Sequence, residues 1–520
     1  DYSERRARMS LMRRAPLMMT CVLLALSIAC VLAGLGRLPA LTLDEAWTGR
    51  FATWLTSMGF YTPHEMNTYT GPLYGLLLSR VMSAWGVSVA VLRLPGALAN
   101  ALAFLLAAWE LRRRAGPEAA AWWALLLAAG TYLLFKSRLA WEVYALQPLL
   151  LTLTLMLLDR KLTWLRALLF MAVTLVGVQN HFIYLSVPVS LVILFAVRAA
   201  WRGEDDLGPS LRLCLTALAA GAVVFLVKPR LSEAAWASQK PWAVPLFFAL
   251  IPLAATAAVA GAWERRLVAL LSHPGARRWG LRLLGLGLFA FFVWHLPPLW
   301  EILAGPVVWK RMIAWNAPWW LDLPLHLWSL FLLAVLGWNA LRAWHGHERL
   351  SAGERTLALW PWAYMACFSL FRNTSSLRYY CLIQFLSLLS LAAALARLPK
   401  PDRRPVAITA ALAMIVVQAV FWRELASPQD RRPLQFRVGW RSENSWDFAR
   451  KDTLFAAFDA SNACGVVRKE RGFVPLPLIP VLFHQKTRAQ TGCDDGILFD
   501  ADDCRDCATP PFKRWEVLKR

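Results

Sequence analysis

Mostly apolar runs, each about 17 to 25 residues long and set apart by short polar stretches, recur from Leu17 to Phe421. Each run is long enough to cross a hydrocarbon core of about 30 Å as a helix, the one segment type that satisfies its own backbone there. The pattern predicts about thirteen spanning helices, near 17–36, 88–110, 118–135, 142–158, 163–178, 182–198, 211–228, 242–262, 281–296, 322–341, 356–371, 379–396 and 405–422. The expected fold class is therefore an all-α polytopic membrane protein. One apolar stretch, "GPLYGLLLSRVMSAWG" (Gly71 to Gly86), is short and interrupted by Arg80. It is expected to lie in the interface rather than to span, because counting it as a span would put Arg112 to Arg114 outside.

Composition agrees with the pattern: of 520 residues 58% are hydrophobic and 17% charged, with 28 Trp, against about 25% charged in soluble domains. The formal net charge of +23 does not point to nucleic acid, because Arg and Lys cluster between the apolar runs, where they act as topology signals. The clusters 5–14, 112–114, 159–161, 198–202, 263–282, 342–355 and 397–404 are assigned to the inner side. The N-terminus is then cytoplasmic, and an odd number of spans puts the C-terminus outside. The first run exceeds a typical signal-peptide core and lacks a good small-x-small site, so it is expected to be retained. "LSIAC" (Leu26 to Cys30) only faintly resembles a lipoprotein box, since Ser27 stands where an aliphatic residue is usual.

Beyond residue 422 the character changes. Residues 1–422 form the membrane module and 423–520 an extracytoplasmic domain, far less apolar and carrying four of the nine cysteines: Cys464, Cys493, Cys504 and Cys507. Outside the cytoplasm these favour disulfides over zinc, with three possible pairings. The acidic segment "CDDGILFDADDCRDC" does not have the spacing of a known calcium loop.

With this topology nearly all the polar residues that need explaining face outward. They lie in the loop after the first span, in "FKSRLAWEVYALQ", at the turn "QNH", in "KPRLSEAAWASQKPW", in "PPLWEILAGPVVWKRMIAWNAPWW" and in "RNTSSLRYY". A transporter would instead place paired charges near the midplane, where this chain has mainly Leu, Ala, Val and Phe. The first outer loop opens with Asp44 and Glu45, just after the first span ends. Asp44 can serve there as a helix N-cap, favoured by the helix dipole.

After Asp44-Glu45 come "GPLY", the interfacial stretch, a segment opening with Arg93-Leu94-Pro95, and "SRLAWEVYALQPLLLTLTLMLLDRK", in that order. This ordered set resembles the GT-C superfamily of integral-membrane glycosyltransferases, in particular the protein O-mannosyltransferases and the lipid A aminoarabinose transferases. The resemblance covers about the first 200 residues by motif and the remainder by topology. It implies that Asp44 is the catalytic base and that Glu45 is the acid that commonly follows it. Glu142 takes the place of a second-loop acid that is more often Asp. A second reading pairs Glu142 with Arg138 one helical turn away.

The chemistry makes its own demands. Moving a sugar from a lipid phosphate to a hydroxyl requires a base for the acceptor proton and cations for the phosphate that leaves. Candidates for donor phosphate or sugar are Arg50, Arg138, His181, Lys310, Arg311, Arg372, Arg378 and Tyr379. "LRYYCLIQFLSLLSLA" resembles the family's late "RY" segment, which singles out Arg378. Each cation has an ordinary alternative as a snorkelling or headgroup-binding side chain, and His181 as a helix cap. No zinc-protease, Walker, dinucleotide or GxSxG signature is present, which agrees with a donor activated elsewhere and delivered on lipid. No metal ligand set appears in the first loop, so no cofactor is expected, with a divalent metal as the alternative.

The expected activity is inverting transfer of a monosaccharide from a polyprenyl-phosphate donor to a hydroxyl of an envelope glycolipid, polysaccharide or protein, at the outer face of a bacterial inner membrane. The competing readings are a transporter or flippase of lipid-linked glycans, and a polymerase or ligase of such glycans.

Overall fold

The computed structural model describes residues 2–36, 45, 48–49, 51–53, 73–158, 163–202, 207–237, 243–276, 278–280, 282–283, 285–286, 303, 318–345, 350–368, 380–426, 466–468, 497–499 and 516–517. Up to residue 426 the regular structure among these is helical. The helices are α1 (Tyr2–Leu32), α2 (Leu73–Trp85), α3 (Val89–Ala115), α4 (Pro117–Ala129), α5 (Thr131–Lys136), α6 (Glu142–Ala145), α7 (Gln147–Leu157), α8 (Trp164–Asn180), α9 (Ser186–Arg202), α10 (Gly208–Ala237), α11 (Ala243–Ser272), α12 (Trp319–Trp344), α13 (Ala352–Phe368), α14 (Cys381–Leu395) and α15 (Lys400–Ala426). A 3-10 turn, Phe182–Leu185, precedes α9. Three short strands follow, β1 (Val466–Arg468), β2 (Ile497–Phe499) and β3 (Glu516–Val517), with β2 central, parallel to β1 and antiparallel to β3.

Helix covers most of the predicted spans, and the one predicted at 281–296 falls almost wholly outside the described residues. Among the described residues, four helical stretches are long and apolar enough to cross a membrane: Val89–Ala115, Phe182–Trp201, Gly208–Val227 and Trp319–Trp344. The stretch at Gly71 to Gly86 forms α2, which at 13 residues is about 20 Å long, too short to span. It buries one side, including Tyr74, Leu78 and Met82, and exposes Leu76 and Leu77. The last helix runs to Ala426, four residues past the boundary expected at 422.

Two predicted spans are broken. The run 118–135 divides at Gly130 into α4 and α5, and the run 142–158 divides at Leu146 into α6 and α7. Pro148 stands in the first turn of α7, where it needs no backbone donor. The carbonyls freed beside the second break are taken by Asn100 of α3, whose Nδ2 donates to Tyr144 O at 2.8 Å and to Ala145 O at 3.4 Å. Gly96 lets the two segments approach this closely, since a Cβ there would sit 2.8 Å from the Ala145 Cβ.

At the centre α4 and α14 are apolar on all sides and buried along nearly their whole length, as expected of helices surrounded by other helices. Trp123 of α4 packs edge-on against Phe385 of α14 with centroids 5.2 Å apart, and its indole N–H donates to Phe104 O of α3 at 3.1 Å. The outer helices differ. On α3, Leu98, Leu102, Leu105 and Trp109 form one exposed stripe, the helical spacing that faces lipid in a membrane protein. Tyr184 is fully buried with its hydroxyl 2.7 Å from Thr154 Oγ1.

A Cβ at Gly177 would overlap the Tyr184 ring. Gly177→Ala is expected to cost about 1 to 3 kcal/mol through overpacking, measured as a lower melting temperature of the detergent-solubilised protein.

Candidate functional site

Helix α1 ends in a turn in which Gly34 takes a φ of 63°, the left-handed conformation that closes helices and suits glycine. The last carbonyls are capped from far along the chain, by Arg138, which follows α5. Its guanidinium donates to Cys30 O and, at 2.5 Å, to Ala33 O, and it lies 5.0 Å from the Trp422 ring centroid. Burial, and the positive charge of Arg93 nearby, bring the Arg138 guanidinium down to about 10, with Cys30 and Glu45 acting in the other direction. It is therefore still a cation at neutral pH.

Glu45 lies beside this cap. Its Oε1 accepts from Arg93 Nε at 2.7 Å and its Oε2 from Arg93 Nη2 at 2.8 Å, a two-pronged pair with both side chains fully buried. Oε1 also accepts the backbone N–H of Ala140 at 2.8 Å, and Arg93 Nη1 donates to Leu35 O at 2.9 Å. The end of α1, the loop that follows it, the start of α3 and the loop between α5 and α6 thus meet at one carboxylate.

The loop between α5 and α6 also reaches the turn before α9. The Trp141 ring stands 4.8 Å from Tyr144 and 6.4 Å from His181, and Gln147 Nε2 donates to His181 O at 3.5 Å. His181 caps the 3-10 turn, its Nδ1 accepting from Ile183 N at 3.1 Å. A neutral ring held this way carries its proton on Nε2. Capping is thus one role His181 has.

Of the residues predicted for the site, Glu45, Arg138 and His181 are brought to this one end of the bundle. Glu142 opens α6, two residues after Ala140. Arg138 is engaged with the end of α1 and with Trp422, so the reading in which it serves chiefly as a helical-turn partner of Glu142 is incomplete. Asp44, Arg50, Lys310, Arg311, Arg372, Arg378 and Tyr379 lie outside the described residues, as do Cys464, Cys493, Cys504 and Cys507. Among the described residues no group of three or more His, Cys, Asp or Glu is placed to hold a metal ion.

Two residues of this region were not singled out from sequence. Arg93 served there only as a landmark in "RLP". Lys136, at the end of α5, is buried with its ammonium 4.8 Å from the Tyr144 ring centroid and 5.8 Å from that of Tyr132, distances at which rings attract a cation. The signal for Lys136 is a single Lys closing an apolar run.

No family model and no curated protein matches the chain. Among solved structures it is similar to the apo oligosaccharyltransferase of Archaeoglobus fulgidus, with 16% identity over 92% of this chain and 65% of that one and a TM-score of 0.49. For the same enzyme with zinc and sulfate the values are 15%, 85%, 55% and 0.47. For ArnT from Cupriavidus metallidurans bound to undecaprenyl phosphate they are 16%, 72%, 77% and 0.33. Both are GT-C membrane glycosyltransferases. The likeness is distant, and the chain spans 55% to 65% of the oligosaccharyltransferase.

Arg93→Met alone leaves a buried carboxylate without its counter-ion, and is expected to cost about 3 to 5 kcal/mol. Glu45→Gln combined with Arg93→Met removes both charges and should recover much of that loss. Thermal unfolding of the parent, both single variants and the double variant in detergent reads the coupling.

Proposed function

We propose that the chain is a GT-C-type glycosyltransferase that moves a monosaccharide from a polyprenyl phosphate to a hydroxyl acceptor at the outer face of a bacterial inner membrane. The observation that carries this reading is the meeting of two acid-bearing loops at one end of the bundle, joined by the Glu45 carboxylate between Arg93 and the Ala140 N–H. Carboxylates and cations held together at a membrane surface suit a reaction that gains a proton at one atom and releases an anion at another.

In the proposed reaction Asp44 takes the proton of the acceptor hydroxyl as its oxygen forms a bond to the anomeric carbon. The bond from that carbon to the phosphate oxygen breaks on the opposite face, giving inversion and free polyprenyl phosphate. Proton transfer is best made by a group close enough to act as the bond forms, and such a base typically contributes about 10² to 10⁴ in rate. The phosphate changes from diester to monoester and its added negative charge falls to cations shielded from water. Arg138 and Lys136 are buried cations at this end of the bundle, and Arg50, Lys310, Arg311, Arg372 and Arg378 are the further candidates from sequence. Tyr379 and His181 are assigned to hydrogen bonds with donor. Glu142 begins α6 beside the same loop, where it is the second acid of the site.

The acceptor is a hydroxyl of an envelope glycolipid, a polysaccharide or a protein. Residues 423–520 are proposed as an extracytoplasmic domain in which Cys464, Cys493, Cys504 and Cys507 form disulfides. The first loop offers no sequence pattern of metal ligands, so the reaction is proposed to run on side chains alone.

Purified protein incubated with labelled undecaprenyl-phosphate monosaccharides and an extract of envelope acceptors is expected to release undecaprenyl phosphate. Asp44→Asn should lower the rate by about 10² to 10⁴, and turnover by that variant at the parent's rate removes Asp44 from its role. Failure of every donor to react, together with transbilayer movement of one of them in proteoliposomes, would instead favour the flippase reading. In excess chelator the parent is expected to keep its rate, and a loss restored by added divalent cation would overturn the metal-free mechanism.

A further inference from the structure

We infer that Glu45 is a positioning residue, not a second catalytic acid: with Arg93 and the Ala140 N–H it ties the chain position next to Asp44 to the segment that leads into Glu142. The chemical consequence rests on the glycosyl-transfer reading above, whereas the tie itself rests on the atoms around Glu45.

Three features carry the inference. First, Glu45 has no exposed surface, and its oxygens hold three donors, two from the Arg93 fork and one from Ala140. A carboxylate engaged in this way meets an acceptor hydroxyl only by breaking a buried ion pair. Second, the donors come from distant parts of the chain, 48 residues on for Arg93 and 95 for Ala140. The same guanidinium also holds Leu35 O, so that the exit from α1 is tied in as well. Third, covalent geometry extends the tie to the two acids. Asp44 immediately precedes Glu45 and Glu142 follows Ala140 by two residues, and each step along the chain is about 3.8 Å between Cα atoms. A slip at Glu45 therefore reaches both acids without being absorbed by a long linker.

This arrangement makes the rate sensitive to a residue that does not touch substrate. Positioning errors of about 1 Å cost on the order of 10²-fold in rate when a reaction depends on alignment. Arg is required at position 93 because only its planar fork serves both carboxylate oxygens and a carbonyl at once, which a Lys ammonium does not.

The test compares the full-length parent in detergent with Glu45→Gln combined with Arg93→Met, which leaves no unpaired buried charge, and with Arg93→Lys, which keeps the charge and loses the fork. Amide hydrogen exchange of peptides covering 137–145 is followed together with kcat, KM and the pH profile for a labelled undecaprenyl-phosphate sugar. In both variants exchange in this segment is expected to speed up and kcat to fall about 100-fold, with KM for donor changed by less than about threefold and the acidic limb of the pH profile kept. Unchanged exchange overturns the tie, whatever the activity. Faster exchange with an unchanged kcat overturns the positioning role, and loss of the acidic limb makes Glu45 itself the base. If the parent releases no polyprenyl phosphate from any donor, the transferase reading fails while the exchange arm still decides the tie.

Discussion

A carboxylate shared between a guanidinium fork and a backbone N–H, all out of reach of water, is the constraint around which one end of this bundle is arranged. Removing two charges from water costs several kcal/mol per ion after relaxation, and their attraction offsets this only with good geometry and further hydrogen bonds. Glu45 and Arg93 meet that condition, because the fork is two-pronged and the Ala140 N–H and Leu35 carbonyl take up additional bonding capacity. Such a pair adds little net stability compared with an apolar replacement, but it is selective. It forms only when four separate segments arrive in the correct register, so its energetic effect is specificity more than strength.

The membrane setting explains why register has to be enforced by polar contacts. Lipid tails are as apolar as Leu, so burying Leu between helices gains little over leaving it in the bilayer. The exposed stripe of α3 and the buried flanks of α4 are both apolar, and hydrophobicity alone does not distinguish them. Close approach at small residues and hydrogen bonds between elements do so instead. Gly96 admits α6 to α3, Gly177 admits the Tyr184 ring, and Trp123 donates across to α3. Asn100 performs a related task, closing the carbonyls that the break between α6 and α7 would leave open.

This division decides how much was legible in the sequence. Helix positions were readable because crossing a hydrocarbon layer imposes a length and a composition on each segment, and α2 was readable as a short, non-spanning element because it fails that length. The breaks at Gly130 and Leu146 were not, because a window of mean hydropathy is insensitive to one turn of irregular backbone satisfied by a distant Asn. At the site, the charge clusters suggested a shared side for Glu45, Arg138 and His181, and the structure brings these three residues to one end of the bundle. Arg93 was passed over because its partner lies 48 residues away. The helical pairing rule, which suggested Arg138 with Glu142, is blind to a carbonyl at the end of α1. Asp44 and the cations beyond residue 300 lie outside the described residues, so their part in the site stands on sequence alone.

The charges gathered here also argue for a division of labour among the acids. Arg93, Lys136 and Arg138 supply three positive charges at this end of the bundle, while Asp44, Glu45 and Glu142 supply three negative ones by sequence. Glu45 is committed to Arg93 by two hydrogen bonds, which sets that pair apart as neutral. Arg138 is committed by its nitrogens to the cap of α1, yet its charge is not thereby cancelled, since carbonyl oxygens bear only partial charge. Its field and that of Lys136 therefore act on whatever anion occupies the neighbouring space. In a medium of intermediate dielectric two unit charges 4 Å apart interact by about 4 kcal/mol, enough to matter to an incoming phosphate and to a carboxylate competing for the same cations. An acid next to these cations is stabilised as the charged form and so is ready to accept a proton, whereas an incoming phosphate takes part of that stabilisation away and raises the basicity of the carboxylate. In the transfer proposed above, donor binding would thus raise the basicity of a carboxylate in that field when the acceptor hydroxyl has to be deprotonated.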